Sequence, residues 1–228
     1  MQASTWGLLG VLIVSVGCSA DSESGSADGG NGVDDSGAGV TDARVGTSDG
    51  GFGSPDSGIA SPDANISVAG CSSEAVQLIA LVNDYRGENG LSPIPASPSL
   101  CMVGASHVGD LQTNSPDAPA NCNLHSWSDQ GTWSACCYTA DHAQAQCMWD
   151  KPRQLTAYPG NGFENAARSG GTISPTQALN LWKGSPGHNA VILNQGNWAS
   201  QNWQALGAGM ENGYAVLWFG TSVDPAND

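Results

Sequence analysis

Six cysteines lie between residues 71 and 147: Cys71, Cys101, Cys122, Cys136, Cys137 and Cys147. None follows them. An even set in a chain that leaves the reducing cytosol can close three disulfides, and such staples restrict a backbone more than any pattern of apolar residues. The spacing leaves the pairing open. Zinc is a weaker reading of these thiols, because no Cys-x-x-Cys pair occurs and Cys136 and Cys137 are adjacent, a poor chelating geometry.

The even count depends on setting one further cysteine aside, and its surroundings support export. The apolar run from Trp6 to Val16 is too short to span a bilayer as a permanent helix and reads as a signal-peptide core, although no Lys or Arg precedes it. Ser15-Val16-Gly17-Cys18 resembles the lipobox of bacterial lipoproteins, with Ser15 where leucine is usual. An ordinary signal peptide cut near Ala20 is the alternative. Residues 19–70 are Ser, Gly, Asp and Ala with nine acidic residues and one basic, a net charge of −8. Such a segment cannot bury a core and reads as a disordered, self-repelling tether. Residues 71–228 carry twelve acidic and five basic residues, net −7, which completes the chain's −15. That balance argues against nucleic acid, whose phosphates need a cationic face. The expected organisation is therefore a signal segment at 1–18, a tether at 19–70 and one domain at 71–228. Membrane contact is expected only through a lipid on Cys18.

Helix starts in the domain are legible. Ser72-Ser73-Glu74 opens a helix with Val76, Leu78, Ile79, Leu81, Val82 and Tyr85 on a broad apolar face, closed by Gly87 and Gly90. Ser97-Pro98 opens a second, predicted to reach about Asn114, on which Leu100, Gly104, His107 and Leu111 share a stripe that should be buried. Ser174-Pro175 with Gln177 is a capping box with proline at the first helical position, and Ser185-Pro186 repeats the start. His188 then falls near the third helical position, where the helix dipole favours a neutral ring. Glu164 is placed in a Gly-flanked loop before these helices. Residues 122–127 read as a short strand or strand edge, and 128–161 as an irregular, disulfide-stapled excursion with His142 on the surface. Trp127, Trp133, Trp149, Trp198 and Trp203 are expected to be exposed, either lining a groove or packing on disulfides. Gln204–Met210 and Tyr214–Gly220 read as a hairpin over Glu211-Asn212-Gly213. Helices thus flank a small, mostly antiparallel sheet in an α/β arrangement.

Several of these stretches resemble the CAP superfamily, the cysteine-rich secretory, venom-antigen and plant pathogenesis-related proteins, also called SCP domains. Cys122-Asn123-Leu124-His125-Ser126 is similar to its C-x-x-H-S element. Gly162-Phe163-Glu164-Asn165-Ala166 is similar to its G-E-N element, with Phe163 inserted. Trp182 stands where the family's helix tryptophan stands. Ser185-Pro186-Gly187-His188 through Asn194 resembles a bacterial S-P-G-H-R-x-N-I-L, and Leu206-Gly207-Ala208-Gly209 its [IL]-G-x-G strand. The resemblance covers about residues 73–220. It implies an α–β–α sandwich, disulfide-stapled, with a groove holding two histidines and two acids that in some members binds a divalent metal such as zinc. Carried over by motif, the histidines are His125 and His188 and one acid is Glu164. The position of the second acid holds Ser185, so the set is incomplete.

The chemistry expected of such a cluster is limited. An open zinc site takes three protein ligands, which His125, His188 and Glu164 could supply for Zn2+ or another divalent metal. His107 is expected to be a hydrogen-bonded core histidine, paired with Asp110 or standing behind the ligands. Ser106 and Ser126 lack the strained G-x-S-x-G setting of a hydrolase nucleophile. Two functions remain open. One is an exported, surface-anchored domain whose groove binds a small ligand, peptide, lipid or surface protein without turnover. The other is a metal-dependent hydrolase, peptidase-like, with Glu164 as general base.

Overall fold

A computed structural model of the protein describes residues 67–227; the signal segment and most of the tether expected above lie outside the described residues. The elements run α1 (Ser73–Glu88), α2 (Pro98–Asn114), single-turn helices α3 (Ala145–Trp149) and α4 (Lys151–Leu155), β1 (Gly162–Arg168), α5 (Pro175–Gly184), α6 (Pro186–Ile192), β2 (Ala205–Glu211) and β3 (Tyr214–Gly220). The strands form one antiparallel sheet in the order β1-β3-β2. This is the expected α/β arrangement of helices around a small antiparallel sheet.

Local chemistry explains the boundaries. The Ser72 side chain accepts from the Ala75 amide, Ser97 caps α2 ahead of Pro98, and Ser174 and Gln177 close a full capping box on α5. The Asn212-Gly213 turn joins β2 to β3, with Asn212 at φ 48°. Side chains alternate across β3. Ala215, Leu217 and Phe219 pack with Leu78 and Val82 of α1 and Trp182 of α5. Val216 and Trp218 pack with Leu100, Val103 and Leu111 of α2. The sheet is thus buried on both faces, between α2 on one side and α1, α5 and α6 on the other.

The α2–β2 contact is made backbone to backbone. A Cβ on Gly209 would stand 2.2 Å from the Gly104 carbonyl, and one on Gly207 would stand 2.2 Å from the Leu100 carbonyl carbon. Neither collision can be relieved by a side-chain rotation, so hydrogen is the only substituent both strand positions accept. At the start of the same helix, Asp224 accepts from the Ser97 hydroxyl at 2.5 Å, the Ser99 amide at 2.9 Å and the Ser99 hydroxyl at 2.8 Å. Burial opposes ionisation of this carboxyl, but these donors hold it below the ordinary value.

The disulfides are Cys71–Cys101, Cys122–Cys137 and Cys136–Cys147. The first ties the approach to α1 onto α2. The other two fasten the excursion, which has the irregular character expected of it.

Three expectations are corrected. Residues 162–168 form β1 and not a loop; the segment is buried on both faces and so shows no alternation for a period-2 reading to detect. Residues 122–127 form no strand, and only Trp127 bridges Cys136. Trp127 and Trp203 are 2% and 5% exposed, so they are core residues.

Gly207→Ala and Gly209→Ala should each lower the unfolding free energy by about 3 kcal/mol or more, since the added methyl meets backbone. Gly87→Ala, whose Cβ has open space, should cost nothing and gain up to about 1 kcal/mol. Denaturant titration of the three variants checks the contrast.

Candidate functional site

Glu164 sits in the third position of β1, and its side chain points to the α2 face of the sheet with no solvent exposure. Oε1 lies 2.5 Å from His107 Nδ1, and Oε2 lies 2.8 Å from His125 Nδ1. One carboxylate therefore carries two imidazoles, one from a helix and one from the loop after Cys122. Burial works against its charge, but the His107 ring beside it and the bonds from both histidines outweigh that and hold its carboxyl below the ordinary value.

His107 is fully buried. Its Nε2 lies 3.0 Å from the Ser126 carbonyl, and its ring stacks on Trp127 at 4.2 Å and 7°. A carbonyl only accepts, so Nε2 carries hydrogen. Its Nδ1 faces the Glu164 carboxylate, so the ring is held between two oxygen partners. The partner of His107 is thus Glu164. The expected alternative, Asp110, instead accepts from the Ser128 amide and hydroxyl and from Asn114.

His125 has spent its Nδ1–H on Glu164, and its ring packs edge-on against Tyr138 at 5.1 Å. Its other nitrogen, Nε2, is left for the cavity that the ring lines. His188 occupies the third position of α6, where its Nδ1 pairs with the Ser185 hydroxyl at 2.8 Å. Ser185 thereby partners the second histidine with a neutral group at the position where the resemblance expects an acid. Burial first, and then the nearby His125, depress His188 to about 4, so the ring is neutral at ordinary pH.

His125, His188 and Glu164 all line one cavity of about 390 Å³. The residues predicted from three distant stretches thus converge on a single cleft, with His107 directly behind. Glu164, however, is not placed as a metal ligand or an exposed base, since both oxygens are engaged by imidazoles and neither reaches solvent. Among the described residues, no group of three or more His, Cys, Asp or Glu side chains could hold a metal ion. The donor set does not fit an open three-ligand zinc site.

The cleft also contains residues that the motifs do not mark. Phe163, the insertion in the G-E-N element, is a wall residue with Trp149 and Trp198 at 5.6 and 5.4 Å between ring centroids. Tyr138 bonds His142 Nδ1 through its hydroxyl at 3.0 Å and is pushed up to about 12, by burial and then by the charge of Glu164. His142 lines the cavity from a left-handed backbone, φ 58°; its placement on the open surface is corrected. The Cys136–Cys147 staple holds that loop against the cleft, and no sequence pattern shows it. Asn165 faces away from Glu164 along β1 and bonds the His188 carbonyl through Nδ2 at 3.1 Å.

No family model and no curated protein matches the chain. Two solved bacterial structures are similar in fold. An extracellular protein containing an SCP domain from Bacillus anthracis str. Ames is 18% identical, with a TM-score of 0.44 over 65% of this chain and 40% of that one. A cysteine-rich secretory protein from Staphylococcus aureus is 14% identical, with a TM-score of 0.42 over 65% of this chain and 39% of that one. The chain spans about two fifths of the length of each.

A pH dependence follows from His188. Its folded value near 4 lies below the unfolded 6.5, so between these pH values the unfolded chain binds the extra proton. Stability should therefore fall as pH drops from 6.5 towards 4, by on the order of 3 kcal/mol from this ring. His188→Gln should flatten that part of the profile, as read by denaturant midpoints across the range.

Proposed function

We propose that the chain is an exported member of the CAP superfamily, and that its cleft binds a ligand without turning it over. The ordered motifs and their convergence on one cavity support the family. The three disulfides support an oxidising compartment, and the apolar run before Cys18 supports export with a lipid anchor.

The observation that carries the binding reading is the enclosure of Glu164. Among the described residues it is the only carboxylate lining the cavity, and it is committed to His107 and His125. The hydrolytic reading, with Glu164 as general base, needs that carboxylate within reach of water. Here the carboxylate orients imidazoles instead, while aromatic rings form the wall. That is the composition of a binding pocket, with a few placed polar groups on a mostly apolar lining. The metal-dependent hydrolase remains the second reading. It requires Glu164 to exchange a histidine for water or metal.

Thermal shift against a fragment library should return ligands that raise Tm by mass action. Ala190→Trp, which fills the cavity from its lining, should abolish those shifts. Zinc near one equivalent that is lost in both His125→Ala and His188→Ala, together with peptide turnover lost in Glu164→Gln, would replace binding by the hydrolytic reading.

For the anchor, mass spectrometry of the membrane fraction is expected to find a mature chain beginning at a lipid-modified Cys18. A mature terminus near Ala20 would make the protein freely secreted.

A further inference from the structure

Asn165 is the residue of the cleft whose bonding the chain leaves incomplete. Its side chain is fully buried and lines the cavity. The Nδ2 bond to the His188 carbonyl fixes the amide's orientation, because that carbonyl can only accept. Oδ1 is then a buried acceptor with no donor. Such an atom bears the full desolvation penalty of its burial, and a ligand that brings a donor relieves it.

A second polar atom of the same cavity has the same sense. His125 donates through Nδ1 to Glu164, so in the neutral ring Nε2 presents a lone pair. Beside these two acceptors stand the rings of Trp149, Phe163 and Trp198, whose faces attract cations. The domain as a whole, residues 71–228, carries twelve acidic and five basic residues, which draws cations towards it. An anionic head would set its oxygens against two acceptors.

Building on the binding reading above, we propose that the cleft selects an amphipathic organic amine. Its ammonium donates to Asn165 Oδ1 and His125 Nε2, and its apolar body lies along Phe163, Trp149 and Trp198. A cavity of about 390 Å³ accommodates an arylalkyl amine.

Three probes sharing one body separate the head groups: 4-phenylbutylamine, 4-phenylbutan-1-ol and 4-phenylbutyrate. Binding is measured by calorimetry at pH 7.5 and about 0.15 M salt, where attraction to the general surface charge is largely screened. The amine should bind the wild type at least about ten-fold more tightly than the acid, and clearly more tightly than the alcohol. Asn165→Leu keeps the volume and removes the acceptor, so the amine's advantage should collapse to about two-fold. An acid or alcohol that equals the amine overturns the proposal and leaves the binding reading standing. An Asn165→Leu protein that is folded by circular dichroism and keeps the preference also overturns it. Failure of all three probes overturns the amine proposal, while the binding reading falls only if the fragment library also raises no Tm. Should the variant not fold, the wild-type series decides alone.

Discussion

The close seating of α2 on β2 is the constraint on which the site depends. Gly104 on the helix and Gly207 and Gly209 on the strand bring the two backbones into contact. Helix and sheet usually meet through side chains, which hold them about 10 Å apart. Removing those side chains lowers α2 onto the sheet at the level where His107 faces β1. His107 Nδ1 then comes within 2.5 Å of Glu164, a reach that a spacing set by leucine or valine would not allow. Three glycines that carry no chemistry therefore decide whether the buried pair forms.

Glu164 in turn converts that packing into the geometry of the cleft. Taken singly, a buried carboxylate is costly, and a buried imidazole without partners is too. Together with the Ser126 carbonyl they satisfy one another, and the second oxygen is free to fix His125. The ring of His125 is thus held by a group that never touches solvent. His188 is set differently, by the hydroxyl of Ser185 just ahead of its own helix. One histidine is anchored by charge from the core and the other by a neutral neighbour. Of the two, His188 is the ring that burial holds below its ordinary value.

What could be read before the structure was local. Capping boxes, Ser-Pro starts and the Asn-Gly turn are short-range devices whose physics lies within four residues, and α1, α2, α5, α6 and the hairpin follow them. His125, Glu164 and His188 were recognisable because each sits inside a motif. β1 was not legible, because Gly-Phe-Glu-Asn-Ala-Ala-Arg has neither β-branched residues nor alternation, and its partner strand lies about fifty residues on. The role of Glu164 was misread for a related reason: a residue's motif position says nothing about which groups fill its oxygens. His142 and Tyr138 come to the cleft through the Cys136–Cys147 and Cys122–Cys137 staples, and the pairing of six cysteines is not a sequence-local property. Asn165 was visible in its motif, but only the orientation of its amide shows that it lacks a donor.

The clamp of Asp224 on the start of α2 joins groups 127 positions apart along the chain. During synthesis, the amino end of that helix emerges long before the carboxylate that satisfies its serines. Until Asp224 arrives, Ser97 and Ser99 are without their partner, and the glycine seat of the helix waits in the same way for Gly207 and Gly209 of β2. The start of α2 is thus completed only by a residue that lies beyond the whole sheet in the chain.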